Sequence, residues 1–125
     1  MISVDAPYSD DIAAFIRATA PVDFPVGDLK TDHAEGRVHF AVKRDGETLL
    51  AVVAYRIDGE TLEIIGLNAE AAPFALRSLW ETLEAYALGH TEVTRVLCMV
   101  ELRKMQEVVA RFGMKPRAVM YVKAV

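Results

Sequence analysis

Two Asp-Gly pairs, Asp45-Gly46 and Asp58-Gly59, cut the middle of this chain into three extended runs. Asp and Gly both tolerate positive φ, so each pair predicts a tight hairpin. Before the first pair, Val38, Phe40 and Val42 alternate with His39, Ala41 and Lys43. Between the pairs, Thr48 to Ile57 is apolar at both parities, the pattern of a central strand covered on both faces. Thr61 to Leu67 follows the second pair. Residues 37–67 therefore read as an antiparallel meander, and any fold of this chain has to be built around it.

After the meander the hydrophobic period changes. Leu76, Leu79, Trp80, Leu83, Tyr86 and Ala87 recur at helical spacing, with Pro73 suited to the first helical position and Gly89 to the stop. Val93 to Val100 reads as a strand. Leu102, Met105, Val108, Val109 and Phe112 mark a second amphipathic helix, ended by Gly113 and Pro116, and Ala118 to Val125 reads as a last strand. At the other end, Ile2 to Val4 predicts a short strand. Ser9 is the expected N-cap of a helix over Asp10 to Ala20, with Ile12, Phe15, Ile16 and Thr19 on its packed face. Pro21 and Pro25 break that helix, and residues 21–36 read as a loop with one helical turn.

The order is β-α-β-β-β-α-β-α-β. Strands that alternate with helices need crossover connections. The expected architecture is α+β in three layers: a mixed, mostly antiparallel sheet of about six strands with helices on both faces. Residues 1–125 form one such domain.

Composition narrows the class. With 125 residues, 53% of them hydrophobic, the chain can bury a real core and is not disordered by default. Its apolar stretch Leu49 to Tyr55 is too short to span a bilayer. Met1 to Asp5 shows no basic start leading into an apolar segment, so no secretory signal is expected. One cysteine, Cys98, makes no intramolecular disulfide and points to a reducing, cytoplasmic setting. Its alternation with Val96 and Val100 predicts a buried, inert thiol.

Charge is polarised. Residues 1–35 carry seven acids against Arg17 and Lys30, whereas residues 95–125 carry seven bases against Glu101 and Glu107. A basic surface for nucleic acid is one reading. Acidic and basic ends that attract within one domain is the simpler one and is preferred. Asp28, Asp32, His33 and Glu35 lack calcium-loop spacing, and His33, His39 and His90 lack zinc spacing. Trp80, Tyr86 and Phe74 are assigned to the core rather than to a stacking platform for bases.

Function concentrates at Asn68-Ala69-Glu70-Ala71-Ala72, which joins a strand to a helix start. First-turn N–H groups are unpaired and the dipole is positive there, so such a junction receives anions. Phosphate cradles usually contain glycine. This one has none, and Glu70 adds a negative charge.

The order of elements, with Arg111-Phe112-Gly113-Met114-Lys115-Pro116 closing the last helix, resembles the GNAT superfamily of acyl-CoA-dependent N-acyltransferases. Phe112-Gly113-Met114 is similar to the family's Leu-Gly-Phe-like corner. The resemblance implies a pyrophosphate loop at 68–75, where the family carries Gln or Arg and spaced Gly or Ala. Ala71, Ala72 and Ala75 are small, but Glu70 opposes a diphosphate and Pro73 has no N–H to give. The family's thiolate-protonating Tyr falls at Val109, and its Asn falls at or beside Leu102.

From the same resemblance, backbone groups near Leu67, Asn68 and Ala69 would pair with the pantetheine amides. The N–H groups of Phe74 and Ala75 would receive phosphate, and Arg77, Arg103 and Lys104 would neutralise charge. Glu63 and Glu101 are the candidate bases for an attacking amine, with His39 a third. Beside these roles stand bland ones: a solvent-facing Glu63, a helix-start Glu101 and a surface His39. The leading expectation is a degenerate GNAT-like domain, similar to small tailed-phage members, acting as a non-catalytic binding or structural module in the cytoplasm or the virion. No cofactor is expected, a protein partner or homo-oligomer is, and neither nucleic acid nor membrane is. The alternative is an active N-acetyltransferase that uses acetyl-CoA to modify a small amine or a protein amino group.

Overall fold

The computed structural model describes residues 1–18, 28–69, 74–98 and 103–115. Among them five strands form one sheet: β1 (Ile2–Ala6), β2 (His39–Asp45), β3 (Thr48–Asp58), β4 (Thr61–Ala69) and β5 (Arg95–Cys98). They lie in that order, antiparallel from β1 to β4 and parallel between β4 and β5. The helices are α1 (Asp10–Arg17), α2 (Leu29–Ala34), α3 (Phe74–His90) and α4 (Arg103–Ala110). The sheet is thus mixed and mostly antiparallel, as expected. The expected last strand, Ala118 to Val125, lies outside the described residues, as do residues 21–27.

Both hairpins form, with a shift in which residues make the turn. Asp45 pairs with Thr48 and Asp58 with Thr61, so each Asp ends a strand. Gly46 (φ +60°) and Gly59 (φ +58°) are the first central residues, and no described non-glycine residue has positive φ. Glycine at the first of two turn positions is the arrangement that follows the strand twist without straining the glutamate behind it.

Two layers of helix cover the sheet. On one face Ala41, Val53, Tyr55, Leu62, Ile64 and Leu67 pack with Leu76, Leu79, Trp80 and Leu83 of α3 and Val109 of α4. On the other, Phe40, Val42, Val52 and Ala54 pack with Ile12 and Ile16 of α1 and with Leu29. Ala41, on the opposite face of β2 from Phe40 and Val42, is fully buried beneath the α3 layer. Small residues there leave room for the helix, which periodicity alone does not reveal.

Two other expectations need correction. Gly89 does not stop α3, which continues to His90. Thr91 follows, its N–H (3.0 Å) and hydroxyl (2.5 Å) both donating to the Ala87 carbonyl. Ser9 stands at the N-cap of α1 without capping it. Its hydroxyl goes to Asp11, which accepts the Ile12 N–H at 2.9 Å. At the end of α4 the glycine signal holds. Gly113 (φ +86°) is left-handed, its N–H reaches the Ala110 carbonyl, and the Met114 N–H reaches that of Val109. That is a Schellman stop, and Phe112 is set against Trp80 with ring centroids 5.0 Å apart.

Candidate functional site

The site suggested by the sequence lies at the end of β4, beyond its described pairs with β5. Their pairing runs from Thr61–Arg95 to Ile64–Cys98. Strand β4 then continues along β3 to Ala69, opposite Ala51. Ile65 is an extra residue in that ladder, a β-bulge between the Tyr55–Ile64 and Ala54–Gly66 pairs. Just beyond the bulge, Gly66 lies under α1. A Cβ there would come within 2.9 Å of Ile16 Cγ2, so glycine permits the close approach of helix and strand.

Asn68 fastens this end of β4 to α1. Its Nδ2 donates to the Phe15 carbonyl at 2.7 Å, and its Oδ1 accepts the Ala69 N–H at 2.8 Å. Phe15 belongs to the last turn of α1, so this bond ties the end of β4 to the end of the helix. Leu67 points the other way, buried with the α3 layer. Ala69 is half-buried against that same layer.

At the start of α3, Phe74 is 83% exposed while Ala75 is buried. Assigning Phe74 to the core was therefore wrong: as the first helical residue it points outward. Trp80 is a true core residue, 2% exposed, with its indole N–H donating to Glu84 at 2.5 Å. Tyr86 is half-buried and stacks on His90. Arg77 lies in the first turn, but its guanidinium reaches Glu81 one turn along, at 3.0 Å, on an exposed surface. Residues 70–73, with Glu70 and Pro73, lie outside the described residues.

Sequence reasoning missed Lys43. Its ammonium donates to Ser78 Oγ at 2.8 Å, and that hydroxyl donates to the Ala75 carbonyl at 3.2 Å. A lysine in line with His39 and Ala41 reads as solvent-facing, and only the α3 crossover brings it beneath the helix start.

Of the two candidate bases among the described residues, Glu63 lies in the β4–β5 ladder, opposite Leu97. It pairs with Arg56 directly across the β3–β4 ladder, and Arg56 Nε reaches Oε2 at 2.8 Å, joined there by a terminal nitrogen. Its side chain is 23% exposed, so the simple solvent-facing role understates its packing. His39 lies on β2, tilted against Tyr55 and 3.5 Å from Asp5. It shares no contact with Glu63. Glu101 and Leu102 lie outside the described residues, and so do the side chains of Arg103 and Lys104.

Other groups find structural uses. Asp28 caps α2 through the N–H groups of Lys30 and Thr31, while Asp32 and Glu35 pair with Arg37. No three metal-ligating side chains gather among the described residues. Cys98 packs half-buried against the α3 layer, and burial pushes its thiol up to about 12. Tyr55 is also pushed up by burial, and its hydroxyl donates to the Val4 carbonyl at 2.6 Å. No described helix is long and apolar enough to cross a membrane.

No protein-family profile matches this chain, and no curated protein sequence does. Solved structures do match it. A Staphylococcus aureus protein of unknown function, SA2161, described as a probable acetyltransferase, aligns over 99% of this chain and 98% of its own at 16% identity, TM-score 0.67. TTHA1254 of Thermus thermophilus, in a single-substitution form, aligns over 96% and 95% at 18% identity, TM-score 0.63. Glucosamine-6-phosphate N-acetyltransferase of Arabidopsis thaliana aligns over 99% and 97% at 12% identity, TM-score 0.64. At such identities the likeness establishes the fold alone. The chain has the GNAT fold.

Proposed function

We propose that this GNAT-fold domain is a non-catalytic binding or structural module. The observation that carries this reading is the closure of β4 upon itself: the Ala69 N–H is taken by Asn68, whose amide is tied to α1. A ligand laid along that edge would have to displace an internal bond. Val109 adds support. It is 8% exposed and packed in the core, at the position where the resemblance puts a proton-donating tyrosine. Arg77 is engaged by Glu81 rather than standing free for a phosphate. No cofactor is required by this reading, and the partner is a protein or a second copy rather than nucleic acid. The virion setting follows from the tailed-phage resemblance. It is tested by whether the protein copurifies with intact particles.

Turnover decides the main point. Thiol release from acetyl-CoA, followed with a panel of small amines and a lysine peptide, is expected to stay at the rate without protein. Release above that rate, abolished by Glu63→Gln, overturns the proposal.

One observation favours the second reading, an active N-acyltransferase acting on a small amine or a protein amino group. Glu63 stands one pair before the last described β4–β5 pair, and both bonds from Arg56 fall on Oε2. On that reading Oε1 receives the proton from the attacking amine.

A further inference from the structure

Helix α3 carries an exposed outer face made of Phe74, Arg77, Glu81, Ala85 and Leu88. At about 100° per residue these five fall within an arc of about 80°, opposite the row that holds the buried Leu79 and Leu83. Large apolar side chains stand at both ends of the stripe: Phe74 is 83% exposed and Leu88 65%. From the one to the other is about 21 Å of helix. Glu81 lies midway, held by Arg77 at 3.0 Å on an open surface. An exposed pair of this kind stabilises the folded chain little. The stripe therefore reads apolar, charged, apolar in either direction, centred on Glu81.

We propose that this face of α3 is a two-fold interface with a second copy of the chain, the two helices running antiparallel about Glu81. A two-fold contact needs a surface that complements itself on reversal. Reversal about Glu81 sets Phe74 of each copy against the partner's Leu88. It sets Arg77 level with the partner's Ala85, whose short side chain leaves room for a guanidinium. Each Arg77 then stands one turn from the partner's Glu81, so the arginines flank the two carboxylates and offset their repulsion. Parallel helices would instead place Arg77 on Arg77 and Glu81 on Glu81. A face one helix wide and about 21 Å long is smaller than a standard interface, so the association is weak and reversible. This surface rests on the reading of the domain as a binding or structural module; turnover decides that reading, and sedimentation decides the surface.

The test is sedimentation velocity of the full chain over a concentration series reaching about 1 mM, with far-UV circular dichroism confirming that each variant is folded. The wild type is expected to pass from monomer towards dimer as concentration rises. Phe74→Lys and Leu88→Glu each spoil both ends of the seam, and each alone is expected to associate about tenfold or more weakly than the wild type. Mixed in equal amounts, the two variants are expected to recover the dimer. An antiparallel pair of them keeps one Phe74–Leu88 contact and sets the new ammonium against the new carboxylate at the other end. Arg77→Glu crowds the seam with carboxylates, is expected to lose the dimer too, and serves in place of a variant that fails to fold. A wild type that stays monomeric throughout overturns the inference. So does a dimer that survives in the folded single variants, because another face would then hold it. A mixture that stays monomeric overturns it as well, because the helices would not then be antiparallel.

Discussion

Single residues in this chain are set by close approach and by burial. Gly66 is the sharpest case. Alanine there places a methyl 2.9 Å from Ile16, in a layer that also holds Val52 and Ala54. Overpacking of this kind costs about 1–3 kcal/mol, and Gly66→Ala is expected to lower the chemical-denaturation midpoint accordingly. An unchanged midpoint would mean that α1 is not seated on β4. Cys98 gives a second test. Its thiol is pushed up to about 12 by burial, so it stays protonated in the folded chain while the unfolded thiol ionises near pH ~8.5. Unfolding therefore becomes easier as pH rises through the unfolded thiol's range. Modification by a thiol reagent is expected to be slow in the native state and fast in denaturant, and rapid native labelling would contradict the burial.

Asp11 titrates in the opposite sense. The Ser9 hydroxyl first, then Arg44, holds its carboxyl below the ordinary carboxylate range. Its contribution is present above that range and is lost as pH falls through the depressed value. Thermal midpoints of the wild type and Asp11→Asn should differ at neutral pH and converge at the acid end. A gap that persists in acid would assign the effect to packing.

Among the elements, the stop of α4 shows how much a local signal can carry. Gly113 at φ +86° makes the Schellman turn that puts Phe112 on Trp80. Gly113→Ala is expected to cost about 1 kcal/mol, because a side chain strains the left-handed backbone. Equal stability would show that the corner is not needed. Signals of this kind were legible because they act within a few residues: the two hairpin glycines, the Gly113 corner and the helical period of α3. Gly89 misled because propensity is a weak prior, and α3 is held by the core on either side of Leu83 and Ala87. Lys43 under Ser78 and Asn68 against Phe15 were not legible, since each joins residues far apart in the chain. The carboxamide of Asn68 carries no sequence mark that separates a strand-end residue from a fastening to a distant helix.

At the scale of the whole molecule, the order of elements led to the fold correctly. A meander followed by strand–helix alternation leaves few arrangements once crossovers must stay short and right-handed. The candidate site was only partly legible. Sequence located the β4–α3 junction and Glu63, but the partners that engage them, Asn68 with Phe15 and Arg56 across the ladder, come from tertiary pairing. The account's central claim is that this fold has kept its shape while its ligand edge is engaged from within. The direct measurement is the thermal unfolding midpoint of the wild type with and without millimolar CoA, since a ligand selective for the native state stabilises it by mass action. An unchanged midpoint is predicted. A saturable rise, retained when Arg77 is replaced by Ala and abolished when Lys43 is, would contradict the claim and place a working anion site at the start of α3.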